Sequence, residues 1–215
     1  MYPITYEADF NATPNRATTF FRILLAIPWI IVMFVYLIAF IFTHFFAWVS
    51  VVILGRYPQW LYDFNSGIIR FMVRTGAWVY LQTDVWPPFG IADDPSYPIR
   101  VNFAPRAERQ SRLKAFFRLI LVIPMEFVIY LGIGSLHSGA AAVAWLAIVF
   151  RGYMPEGINS VLTYVNGFYA RVAGYATILT DDYPPIGIEK AKAATGSLTT
   201  PPPAAPPAPP AAPAV

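Results

Sequence analysis

Apolar residues run almost unbroken from Ile23 to Leu54 and again from Leu119 to Val149. The first run holds His44, and the second Glu126 and His137, as its charge-bearing side chains. Apolar stretches of that length are transmembrane candidates. Short segments of alternating character precede each run, Ile4 to Phe10 and Ile99 to Phe103, and their period of two predicts half-buried strands that pair with each other or lie on the membrane face. Helices are predicted to start near Thr13 or Asn15 and near Arg109 or Ser111, where polar side chains can cap free amides. After Pro58 and Pro155, apolar stripes such as Ile158, Val161, Val165, Phe168 and Val172 predict an amphipathic helix that lies on the membrane or seals a bundle.

The threading of the apolar runs follows from their length. As one helix, Arg22 to Leu54 would be about 50 Å long, against roughly 30 Å of hydrocarbon. The second run carries Gly132, Gly134, Ser135, His137, Ser138 and Gly139 at its middle, and the first carries Thr43 and His44. A break there predicts a helical hairpin that returns Arg22 and Arg56, and Arg118 and Arg151, to one face of the membrane. The second leg of such a hairpin is short enough to be re-entrant.

The two halves are copies of one unit. Tyr2-Pro3-Ile4 recurs as Tyr97-Pro98-Ile99, Phe20-Phe21-Arg22 as Phe116-Phe117-Arg118, Pro28 as Pro124, Trp48 as Trp145, Gly55 as Gly152, Arg74 as Arg171 and Thr83-Asp84 as Thr180-Asp181, at offsets that drift only from 95 to 97. Residues 1–91 form the first repeat, 92–96 a linker, 97–188 the second repeat, and 189–215 a Pro/Ala-rich tail expected to be disordered. The fold class expected is an all-α integral membrane protein with short strand-like segments. Its tandem hairpin-plus-amphipathic-helix units are related by a pseudo-twofold axis along the membrane normal.

Composition narrows the chemistry. Of the residues, 57% are hydrophobic and 13% charged, well below the roughly one quarter charged in soluble domains. Cysteine is absent, which excludes disulfides, thiolate metal sites and a cysteine nucleophile. The net charge of +3 is modest, but Arg100, Arg106, Arg109, Arg112, Lys114 and Arg118 crowd the entry to the second run. Beside a membrane segment this reads as a flank attracted to anionic lipid, and no nucleic-acid partner is expected. A cleaved signal peptide is not expected, because the first run is too long, lacks an Ala-x-Ala site and has a twin deep in the chain.

Phe-Phe-Arg before the apolar run, Gly55-Arg56-Tyr57-Pro58 after it, Arg74, and Thr83-Asp84 leading to Pro87-Pro88-Phe89 resemble a bacterial membrane family known only as a domain of unknown function and often duplicated within one chain. The resemblance covers about residues 2–188. It implies the duplicated fold and a bacterial membrane setting, and carries no activity. The second copy departs from the motif: Arg151 stands before Gly152, and Tyr153-Met154-Pro155 reads as an inserted Met.

Among candidate sites, Glu126 is an ionisable group inside an apolar run, which marks a functional position or one that pairs or reaches the interface. Arg74 and Arg171 recur on otherwise apolar helices, with Asp84 and Asp181 just beyond the helix ends. They are expected either to bind a lipid phosphate or to tether the helix to the following Pro-Pro turn. His44 and His137 do not align and have no partners in sequence for a metal site, so no metal and no cofactor are expected. No Gly-x-Ser-x-Gly, no His-Glu-x-x-His and no pair of carboxylates within an apolar run is present, and no enzymatic activity is expected. The first expectation for function is a non-catalytic scaffold or accessory subunit of the bacterial inner membrane, multi-pass with cytoplasmic termini, contacting lipid and a membrane-protein partner or a second copy of itself. The alternative is a lipid or small-molecule binder with Arg74, Arg171 and Glu126 facing a cleft between repeats, and the third a small transporter or channel.

Overall fold

The computed structural model describes residues 2–186, so the expected disordered tail lies outside the described residues. The first repeat contributes β1 (Ile4–Ala8), α1 (Arg16–Phe20), α2 (Arg22–Leu25), α3 (Ile27–Leu54) and α4 (Gln59–Val79). The second contributes β2 (Ile99–Phe103), α5 (Arg112–Phe116), α6 (Arg118–Val128), α7 (Gly134–Arg151) and α8 (Glu156–Ala176), with a π-helical segment, Ile129–Ile133, joining α6 to α7.

The expected hairpin does not form. α3 is one helix of 28 residues, about 42 Å long, so Arg22 and Arg56 sit at its opposite ends. Thr43 does not break it, because its hydroxyl donates back to the Ala39 carbonyl (3.0 Å) and pairs with Asn65 Oδ1 on α4 (2.6 Å). In an apolar run, an opened turn would leave amides with no water to bond, so the helix continues. In the second repeat the glycines mark the π segment instead: the Gly134 N–H donates to the Ile129 carbonyl, and an added Cβ on Gly134 would lie 3.0 Å from that oxygen. This segment also absorbs one extra residue. Repeat offsets are 95 at the strands, 96 from Arg16 and Arg112 to Pro28 and Pro124, and 97 from Trp48 and Trp145 onward.

α4 runs antiparallel to α3 along its whole length. Trp29 meets Trp78 (5.5 Å between ring centroids), Tyr36 meets Phe71 (5.0 Å) and Thr43 meets Asn65. α4 is buried nearly all round and packs against α8, so these amphipathic helices seal the bundle. Their ends are cross-matched: Ile178 and Leu179 beyond α8 share a core with Tyr57, Leu61 and Tyr62 at the start of α4, and Leu81 beyond α4 shares one with Leu162. Both helices end on a buried residue in the left-handed region, Leu81 (φ +68°) and Ile178 (φ +62°). This geometry costs a non-glycine residue about 1–2 kcal/mol and is offset here by burial of each side chain.

β1 and β2 pair antiparallel about Tyr6 and Val101, with Ile4 opposite Phe103 and Ala8 opposite Ile99. That register maps onto itself when the repeats are exchanged, so a pseudo-twofold axis passes through the sheet and across the long helices. The two halves trade their N-terminal arms. β1 packs on α8 and β2 on α4, while α1 packs on α7 and α5 on α3. The repeated tryptophans hold the traded arms: Trp48 Nε1 donates to the Ala115 carbonyl (3.0 Å), and Trp145 meets Phe20 (6.0 Å).

Candidate functional site

The repeated arginine at each helix entry is an interior ion pair. Arg22 donates from Nη2 to Asp84 Oδ1 (2.7 Å) and from Nη1 to the carbonyls of Trp78 (3.1 Å) and Thr83 (2.9 Å), with its guanidinium 4.6 Å over the Trp78 ring. Asp84 Oδ2 accepts the Asn15 N–H (2.8 Å), and Asn15 caps α1. The second repeat copies this: Arg118 to Asp181 (2.7 Å), Ser111 N–H to Asp181 (2.8 Å), and Arg118 4.1 Å over Tyr175. Asp84 and Asp181 are therefore partners of Arg22 and Arg118, not of Arg74 and Arg171.

Arg74 is used up within the fold. It donates to the carbonyls of Ile99 (3.2 Å), Ala92 (3.0 Å) and Asp94 (3.1 Å) and to Asp93 Oδ1 (3.2 Å), tying α4 to the linker and to the outer edge of β2. Burial pushes its pKa down, but an arginine stays charged. Arg171 is buried at the equivalent place on α8. Glu126 is elsewhere: it is exposed on α6, in an open apolar groove of about 530 Å³ lined by Leu119, Val122, Ile123, Phe127, Tyr130 and Ala176. Neither Arg74 nor Arg171 lines that groove, and the space between repeats is packed. There, Gln82 accepts from Tyr6 and from Asn166 and donates to Thr163 Oγ1 (2.9 Å).

The histidines are also apart in their surroundings. His137 is buried between Tyr80 (3.6 Å) and Tyr169 (5.5 Å), and His44 stacks on Phe40 (5.5 Å). Among the described residues, no three His, Cys, Asp or Glu side chains group as a metal site.

Gly55 ends α3 at φ +69° with its N–H on the Val51 carbonyl (2.8 Å), and Gly152 ends α7 at φ +79° in the same way. Tyr57 is fully buried, its hydroxyl accepting from Asn65 (2.7 Å). With Pro58 aligned to Pro155, the reading of an inserted Met gives way to substitution. Met154 stands where Tyr57 stands and is likewise buried, and half-exposed Tyr153 stands where Arg56 stands.

Sequence reasoning missed what the traded arms bring to these turns. Arg112, at the start of α5, lies so close to Gly55 that an added Cβ there would be 3.1 Å from Arg112 Nε. Arg16 of α1 approaches Gly152 still more closely. Each arm thus sets a cation against the carbonyl end of the other repeat's long helix, where the helix dipole favours positive charge. Around Gly55 the result is a cavity of about 540 Å³ lined by Leu54, Gly55, Arg56, Arg109, Gln110 and Arg112. The arginine-rich flank was visible in sequence, but its convergence on Gly55 depends on an exchange between segments more than fifty residues apart.

The sequence carries two matches, over residues 16–90 and 112–186, to a domain of unknown function, DUF4389. The chain belongs to the DUF4389 family. Both matched segments begin at the arm helix and end in the Pro-Pro segment, so they hold the Arg22–Asp84 and Arg118–Asp181 pairs and leave the strands outside. No curated protein and no solved structure shows a significant match. DUF4389 membership gives the duplicated unit a family and assigns it no chemistry. Two of its helical spans, Ile27–Leu54 and Arg118–Arg151, are long and apolar enough to cross a membrane, which weakly suggests a membrane protein.

Proposed function

We propose that this DUF4389 chain is a non-catalytic membrane protein that lies in one leaflet of the bacterial inner membrane, with its long helices in the membrane plane, and acts by binding lipid. One observation carries the reading. The sheet joins α4 at Arg70 and Arg74, beside the Tyr36–Phe71 contact, so it is level with the middle of α3. On it sit Arg100, Asp9 and Glu7, paired at 2.7 and 3.4 Å, with the two carboxylates about half exposed.

If α3 crossed the bilayer, these half-exposed charges would stand at the hydrocarbon midplane. Charge facing lipid at that depth is not tolerated. Laid flat, the molecule keeps the sheet in water and buries its apolar faces. α3 presents Ile27, Ile31, Phe34, Ile38, Phe42 and Phe45 on one unbroken face, and α6–α7 presents Leu119, Ile123, Phe127, Leu131 and Leu146. The pseudo-twofold then runs along the membrane normal, by a different route from the even number of passes expected. The lipid in this reading lies beneath the molecule, where the alternative drawn from sequence put it in a cleft between repeats.

Because the chain has no cysteine, single cysteines are unique labels. With Arg16→Cys, Arg56→Cys and Asn102→Cys in sealed, oriented vesicles, an impermeant maleimide should label all three from one side only. Labelling of Arg16→Cys and Arg56→Cys from opposite sides would mean that α3 spans and would end the in-plane reading.

A further inference from the structure

We propose that the cavity at the end of α3 is a site for the phosphate of an anionic lipid headgroup, an inference that rests on the in-plane reading. Three guanidinium groups, Arg56, Arg109 and Arg112, line about 540 Å³ around Gly55, and among the described residues none of the three is within ion-pairing distance of a carboxylate. By contrast, Arg22, Arg70, Arg74, Arg100 and Arg118 are all ion-paired. The unpaired cations converge where the apolar face ends: Ile53 and Leu54 are each 62% exposed, and Leu54 forms the wall of the cavity. An acyl chain along α3 would thus bring its phosphate to the arginines, whose planar forks match phosphate oxygens.

Gly55 permits the convergence. Its φ of +69° turns the chain sharply out of α3, and with no Cβ it lets Arg112 close over the helix end. The opposite pole provides an internal control. There Arg16 stands for Arg112, but Tyr153 stands for Arg56 and Thr13 for Arg109, and Arg151 is engaged with the Tyr153 hydroxyl (3.4 Å). Pseudo-symmetry therefore yields one phosphate site and not two.

The test compares two variants that remove equal charge, Arg56→Gln with Arg109→Gln in the cavity, and Arg16→Gln with Arg151→Gln at the other pole. Partitioning of the full chain is measured into vesicles of phosphatidylcholine alone and with one quarter phosphatidylglycerol. The cavity variant should lose roughly thirty-fold in its preference for the anionic vesicles, at about 1 kcal/mol for each of its two lost cations, and the opposite-pole variant much less. Equal losses in the two variants would reduce the effect to diffuse surface charge and overturn the site. Displacement of the preference by millimolar inorganic phosphate at constant ionic strength would overturn the lipid assignment in favour of free phosphate. Binding of every variant to phosphatidylcholine alone reports on the in-plane reading separately, since that binding uses the apolar face and not the cavity.

Discussion

Replacing Asp84 by Ala removes the carboxylate that receives three hydrogen bonds, from Arg22 Nη2 (2.7 Å), the Asn15 N–H (2.8 Å) and Asn11 Nδ2 (3.1 Å). The Arg22 side chain is only 3% exposed, so its charge would remain in the interior with two carbonyls for company. Breaking a buried pair from one side costs about 3–5 kcal/mol. Asp84 itself is 22% exposed, which lets water replace part of the loss, and a cost of about 2–4 kcal/mol is expected. Denaturant unfolding in detergent micelles, followed by tryptophan fluorescence, is a direct readout because the Trp78 ring lies 4.6 Å from the guanidinium and packs at a tilt against Trp29 and Trp86. Asp181→Ala should cost a similar amount. Asp63→Ala, which loses one exposed contact to Gln59, should stay within about 0.5 kcal/mol of wild type. The double variant Arg22→Met with Asp84→Ala should be more stable than Asp84→Ala alone, since no buried charge is left. An Asp84→Ala protein as stable as the Asp63→Ala control, or a double variant that costs the sum of its parts, would refute the reasoning.

Gln82→Leu, which copies Leu179 of the second repeat, should cost about 2–4 kcal/mol in the same assay by orphaning the Tyr6 hydroxyl and the Asn166 amide. Gly152→Ala should cost more in wild type than in an Arg16→Ala background, where only about 1 kcal/mol of left-handed strain remains, as a double-mutant cycle will register. Burial, with help from Asp63 and against Arg70, pushes the Tyr62 phenol up to about 12. Its folded pKa exceeds the unfolded one, so the stability it contributes is complete below about pH 10 and lost as pH rises toward 12, a decline that Tyr62→Phe should lessen.

The repeat, the strands, the caps and the helices after Pro58 and Pro155 could be read from the chain because each rests on local signals: a period, a cap residue, a landmark recurring at fixed spacing. The hairpin could not be judged that way. Glycines 132, 134 and 139 carry the same letters whether they open a turn or ease a π segment, and the choice is made by the surroundings of the freed amides. Asp84 stands out in the sequence as a repeated carboxylate, yet its partner Arg22 lies sixty-two residues away, while Arg74 is the nearer cation along the chain. The basic cavity was out of reach for the same reason, since Arg109 and Gly55 meet only through the traded arms.

That exchange also dictates an order of events at the ribosome. β1 has nothing to pair with until Phe103 has been made, and α1, although its cap Asn15 can already bond Asp84, lacks its packing surface until α7 and Met154, whose N–H bonds the Ala12 carbonyl (3.0 Å), have followed. The first arm therefore waits until the second repeat has been made, and α3 enters the nascent fold with its Gly55 end uncovered until Gln110 arrives. Two chains that both pause between the repeats could exchange arms instead, α1 of each on α3 of the other and β1 of each on α4 of the other, the pseudo-equivalents of the contacts that α5 and β2 make within one molecule.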